Sequence, residues 1–194
     1  MKFYLGTITR YYSEVASLED SDPEVVAGAV SAWRHWVNKE LPHALDWDES
    51  PTAPFETVEV GDKDWGALWL LIAYAAPGSP VPPAGVLDDW RNDAQIERTL
   101  GSHQHPFCQV IRPALWLPDA ADLMFRTREL NEEMTWVGSS DQLARDLVAL
   151  RFHWRGGLKD QPELEERLDR MCEVLGQLAR RSGEFRLPLR LISN

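Results

Sequence analysis

Residues 123–150 read LMFRTRELNEEMTWVGSSDQLARDLVAL. Two β-rich runs, Leu123 to Arg128 and Met134 to Val137, flank a polar stretch from Glu129 to Glu133, which is the pattern of a hairpin. Gly138 closes the second run. Ser139 or Ser140 then stands where a helix N-cap side chain accepts a backbone N–H. Leu143, Leu147 and Leu150 follow at helical spacing and predict an inward stripe. A hairpin that feeds a helix, with no regular βαβ unit around it, argues for an α+β fold.

Downstream, residues 161–182 carry the clearest helical pattern. Pro162 sits near the start, Glu163, Glu165 and Glu166 fill the first turn, Arg180 and Arg181 the last, and Gly183 follows. Leu164, Leu168, Met171, Leu175 and Leu178 are spaced 4, 3, 4 and 3, which suits a core-facing helix, with a homodimer through helix 161–182 as the alternative use of the same seam. Phe185, Leu187, Leu189 and Leu191 alternate with Arg186, Pro188 and Arg190. That predicts a one-sided strand, placed at a sheet edge by Pro188.

Upstream, Phe107 to Leu117 is β-rich, and Pro113 argues for an edge or a bulge. A shorter helix is expected over 87–100 around Trp90, Ala94 and Ile96. The prolines of 77–86 make a stiff connector. It marks an internal subdivision point, but each half alone offers few strands, so 1–194 reads as a single domain. Trp65, Leu68, Trp69, Ile72 and Ala76 form one stripe of a helix whose remaining circumference is also apolar, the sign of a central position. Phe55 to Val60 reads as a short strand. Ser21 or Asp22 caps a helix whose stripe is Val26, Val30, Trp33 and Val37, and residues 2–12 read as a first strand. The expected fold is α+β: a mainly antiparallel sheet of about five or six strands with about five helices packed largely on one face.

The 194-residue, 22.1 kDa chain has 44% hydrophobic and 26% charged residues, a globular composition. The apolar run Trp65 to Ala76 falls short of the ~20 residues of a membrane span, and the N-terminus lacks the apolar core of a signal peptide. Two cysteines make no disulfide framework. These features predict a soluble cytoplasmic protein with reduced thiols. With 16 arginines against 4 lysines, the cation balance suits a high-GC, bacterial genome.

The formal charge is −11, and residues 1–100 hold 17 acids against 7 bases. Within them, 40–64 carries eight carboxylates against Lys63 alone. Such a field repels phosphate backbones and argues against nucleic acid. It attracts a basic protein partner. Trp47 stands among the acids as an aromatic anchor of the kind enriched at interfaces. Asp46, Trp47, Asp48 and Glu49, with Glu56 and Glu59, are therefore the candidate partner-binding residues, provided that they are exposed. The alternative is a small enzyme or metal protein around His103, His105 and Cys108, whose N and S donors suit zinc but lack the fixed spacing of a zinc motif. Val137-Gly138-Ser139-Ser140-Asp141 lacks the glycine that completes a nucleophile elbow, so an N-cap serine accounts for it. No cofactor motif is present: neither a phosphate-cradling loop, nor a dinucleotide fingerprint, nor a metalloprotease helix occurs.

In general character (small, acidic, tryptophan-rich, α+β, without a catalytic signature) the chain resembles bacterial toxin-neutralising immunity proteins. The likeness is one of kind and is carried by no motif. It implies a non-enzymatic protein that docks a basic partner, such as a toxin domain, through the 40–64 region.

Overall fold

The computed structural model describes residues 1–16, 22–76, 79–102 and 105–192. Six strands, β1 (Lys2–Leu5), β2 (Glu56–Glu59), β3 (Leu115–Leu117), β4 (Met124–Arg128), β5 (Met134–Ser139) and β6 (Leu189–Ile192), form one sheet in the order β2-β1-β6-β3-β5-β4. Strands from both sides of the proline-rich connector thus share a sheet. The sheet is mixed rather than mainly antiparallel, because β3 and β5 run parallel. The hairpin explains this. β4 reverses the direction of β3 and takes the edge, and β5 reverses it again and lies against β3.

The helices are α1 (Ile8–Arg10), which runs into a π-turn at Tyr11–Val15, α2 (Pro23–Glu40), α3 (Asp62–Ala73), α4 (Ala94–Gly101), α5 (Cys108–Ile111), α6 (Ser140–Trp154) and α7 (Pro162–Phe185), with a 3-10 segment at Val86–Asn92. That exceeds the expected five, because two segments that read as strand carry short helices. Residues 2–12 leave the strand after Leu5, where Thr7 accepts a hydrogen bond from the Arg10 N–H and caps α1. Residues 107–117 contain α5 before β3 begins at Leu115.

Alternation along the strands sorts the core into two. Phe3, Leu5, Trp116 and Leu189 pack with α3, α6 and α7. Tyr4, Leu115, Leu117 and Val137 point the other way, onto Val26, Val30, Trp33 and Val37 of α2. Helices therefore cover both faces. β6 is an interior strand between β1 and β3, not an edge. Pro188 lies just before it, and its carbonyl accepts from the Gly6 N–H at 3.1 Å. The missing N–H of Pro188 thus falls outside the ladder, which is how the chain tolerates proline here.

α7 extends past Gly183, which is helical, and ends where Arg186 takes a left-handed φ of 55°. Its stripe, Leu164, Leu168, Met171, Leu175 and Leu178, is buried in the core. The apolar stripe that a homodimer through residues 161–182 would use as its seam is therefore already packed inside the molecule. No helix among the described residues is long and apolar enough to cross a membrane.

Candidate functional site

The carboxylates of 40–64 are largely held by the chain's own cations and amides. Asp46 is bracketed by Arg34 and Arg186. Glu49 accepts from the backbone N–H groups of Ile8 and Thr9 at 3.0 and 2.9 Å, so it serves the free amides at the start of α1. Glu56 pairs with Arg181. Asp62 pairs with Arg91, and Asp64 with Arg167 and Arg170 at 2.7 and 3.0 Å. Among the described residues, the Asp48 carboxylate receives only the Ser50 N–H, at 2.7 Å. Glu59 is exposed at the end of β2. Among the described residues, Glu40, Asp48, Glu49 and Glu59 of this segment have no ion pair with a cation.

Trp47, expected to anchor a partner, is only 2% exposed. Its ring lies 5.8 Å from that of Trp33, the Arg34 guanidinium sits 4.6 Å above it, and its Nε1–H donates to Glu49 Oε1 at 2.6 Å. A residue so enclosed closes the core beneath α2 and presents nothing to a partner. Sequence reading missed this because it left the second sheet face open to solvent, where a loop tryptophan has nothing to pack on.

His103 lies outside the described residues. His105 is buried, and its Nδ1 accepts from the Phe107 N–H at 3.2 Å. Burial pushes its pKa down. Among the described residues, no three His, Cys, Asp or Glu side chains are grouped to hold a metal ion, so His105 and Cys108 do not find the missing ligands that the zinc reading required.

Cys108 instead borders a polar node at the ends of β3 and β5. Gln109, fully buried, is its hub. Its Nε2 donates to Asp122 Oδ1 and to the Leu123 carbonyl at 3.2 and 2.8 Å, and its Oε1 accepts from the Ser139 N–H at 3.2 Å. Its own carbonyl takes the Trp116 Nε1–H at 2.7 Å. Ser139 caps α6, accepting from the Gln142 N–H at 3.1 Å. Burial, then Asp146 and Asp122, raise the Cys108 thiol above its ordinary pKa, so it is not a thiolate nucleophile at neutral pH.

Asp146 is the titrating member of the node. Burial raises its pKa to about 6, with Asp122 adding to the rise and the Gln142 hydrogen bond and Arg145 opposing it. An unfolded aspartate titrates at about 3.9. Between those values the folded state binds the proton that the unfolded state has released, so stability falls as pH rises through that window. Asp146→Asn should therefore raise the melting temperature at pH 8 and leave it nearly unchanged at pH 4. Thermal unfolding followed by circular dichroism across that range checks this, and equal shifts at both pH values would contradict it.

A second buried network lies under α1. Arg190 of β6 pairs with Glu129 at 2.6 Å, the Tyr12 hydroxyl donates to the same Glu129 oxygen, and the guanidinium stands 4.3 Å over the Tyr11 ring. Burial works against the Arg190 charge, but Glu129 and the two tyrosines outweigh it and hold its pKa above the ordinary value. Among the described residues, Arg190 Nε and Glu129 Oε1 find no partner, and the adjoining gap beside Trp33 and Leu130 has no room for a water molecule. The enclosure makes this network a part of the core. It was illegible beforehand because Glu129 reads as a turn residue and Arg190 as the outer face of a strand.

One open feature of the surface is a groove of about 460 Å³ between α6 and α7. Val148 and Phe152, one helical turn apart on α6, line it at 67% and 73% exposure. The Arg151–Asp169 pair, at 2.6 Å, closes on itself across it. Arg155 and Glu165 also line it, and neither has an ion-pair partner among the described residues. The signal was present in the sequence, since Val148 and Phe152 sit at i, i+4 off the Leu143–Leu147–Leu150 stripe. No protein-family model matches the chain, and no curated protein and no solved structure matches it.

Proposed function

We propose that this chain acts by docking another protein, that the partner is basic, and that the α6–α7 groove receives it. The observation that carries the reading is Phe152, 73% exposed beside Val148 over an open groove. Exposed aromatic side chains with an apolar neighbour are the usual nuclei of protein interfaces. The basic character of the partner follows from the formal charge of −11, which speeds encounter with a positively charged protein. In its specific form the partner is a basic toxin domain that the chain neutralises by covering it. The 46–59 segment has a smaller part in this reading than its composition promised. Glu59 and Asp48 contribute to the field, while Asp46, Trp47, Glu49 and Glu56 hold the fold.

Titration calorimetry against basic proteins encoded beside the chain's own gene tests the reading. Phe152→Glu should weaken binding roughly 30-fold, the equivalent of ~2 kcal/mol at an interface hot spot. Glu59→Lys should alter mainly the association rate and its dependence on salt. Undiminished binding by Phe152→Glu would move the site elsewhere. Absence of binding to every such basic protein would overturn the role.

A further inference from the structure

α2 carries two apolar stripes, and among the described residues the fold buries only one of them. The inner stripe, Val26, Val30, Trp33 and Val37, is buried against the sheet. The outer one is Val25, Ala29, Ala32 and Trp36, again spaced 4, 3 and 4, the spacing of a helix–helix seam. Val25 is 67% exposed and Trp36 is 51% exposed. Gly28, beside the stripe, faces open space, since a Cβ built there would meet no atom within 4 Å. The stripe has bulk at its ends and small side chains in its middle, so a second helix can approach closely there.

We infer that this face is the contact surface for a second copy of the chain, the two α2 helices lying antiparallel about a two-fold axis between positions 30 and 31. The charge pattern selects both occupant and orientation. In that register Val25 meets the partner's Trp36, Ala29 meets the partner's Ala32, and Asp22 meets the partner's Lys39. Among the described residues Lys39 has no ion pair within its own chain. Asp22 caps α2 through the Glu24 N–H and keeps its negative charge outward. A parallel pair would instead set Trp36 against Trp36, Asp22 against Asp22 and Lys39 against Lys39, and would align the helix dipoles unfavourably. Self-complementarity of one patch is what a two-fold dimer requires.

The contact is limited to one helix face ~27 Å long at 1.5 Å per residue. It falls below the standard interface size, which puts the dimer at the weak, micromolar end. α2 lies on the sheet face opposite α6 and α7, so the dimer leaves the α6–α7 groove open, and the two readings fail independently.

Sedimentation equilibrium of the full chain from roughly 1 to 500 µM tests the inference. The wild type should pass from monomer to dimer within that range. Ala32→Glu, which places a charge at the centre of the seam, should stay monomeric throughout with unchanged far-UV circular dichroism and melting temperature. In a Cys108→Ser background, a mixture of Ala29→Cys and Ala32→Cys chains should cross-link under mild oxidation faster than either chain alone. A wild type that stays monomeric, a dimer that survives Ala32→Glu, or faster cross-linking of Ala29→Cys with itself would each overturn the inference.

Discussion

Arg190→Ala lowers folding stability by about 3–5 kcal/mol, the typical cost of breaking a buried ion pair by removing one partner. Glu129 would be left as a buried carboxylate, 2% exposed at its side chain, with only the Tyr12 hydroxyl as donor. Arg190 also places its guanidinium over Tyr11, so packing is lost with the charge. Glu129→Ala should be comparably harmful for the reciprocal reason. The double substitution Glu129→Leu with Arg190→Met should recover most of the loss, because apolar groups of similar volume need no desolvation of charge. Urea denaturation of these proteins at pH 7 tests the order of stabilities, and the single substitutions Glu129→Leu and Arg190→Met complete the cycle that gives the coupling. Single substitutions that cost less than about 1 kcal/mol would place the pair in the energetic class of exposed salt bridges and contradict its enclosure.

Trp116→Ala is expected to cost about 3–5 kcal/mol, the range for truncating a large buried aromatic. Trp116 sits in the middle of β3, 1% exposed, with its ring 6.4 Å from that of Phe3. Its Nε1–H is the donor that satisfies the buried Gln109 carbonyl. Gly138 lies opposite in the parallel register, and a Cβ there would fall 2.3 Å from Gln109 Oε1 and 3.2 Å from the Trp116 ring. The indole and the glycine are thus parts of one packing solution around Gln109. Trp116→Phe isolates the hydrogen bond: it keeps most of the apolar volume and leaves the Gln109 carbonyl without its donor, for a cost of about 1–3 kcal/mol. Thermal and urea unfolding of both variants separate the two contributions. Equal losses for Phe and Ala would mean that the hydrogen bond, rather than packing, dominates the site.

Several elements were legible before the structure because their signals are local. The Ser139 cap, the inward leucines of α6, the stripe of α7 and the all-round apolarity of α3 depend on spacing along a single helix, and each occurs as expected. The β4–β5 hairpin follows for the same reason. The errors arose where position in the sheet decides the meaning of a residue. Pro188 reads as an edge signal, but a proline one residue before a strand leaves the interior ladder intact. Its acidic neighbours make Trp47 read as a surface anchor and alternation makes Arg190 read as the outer face of a strand, but both lie beneath a helical layer that strand alternation alone does not announce.

From spacing and composition alone follow the α+β class, the main helices with their inward faces, and the net negative charge, because each depends on neighbours a few residues apart or on a simple sum. Only the tertiary structure decided that β3 and β5 run parallel, that both sheet faces are covered, and that half of the carboxylates of 40–64 are answered by arginines more than a hundred residues away or by the amides of α1. Those partners meet through chain folding, and no local pattern encodes which distant cation a given carboxylate will find.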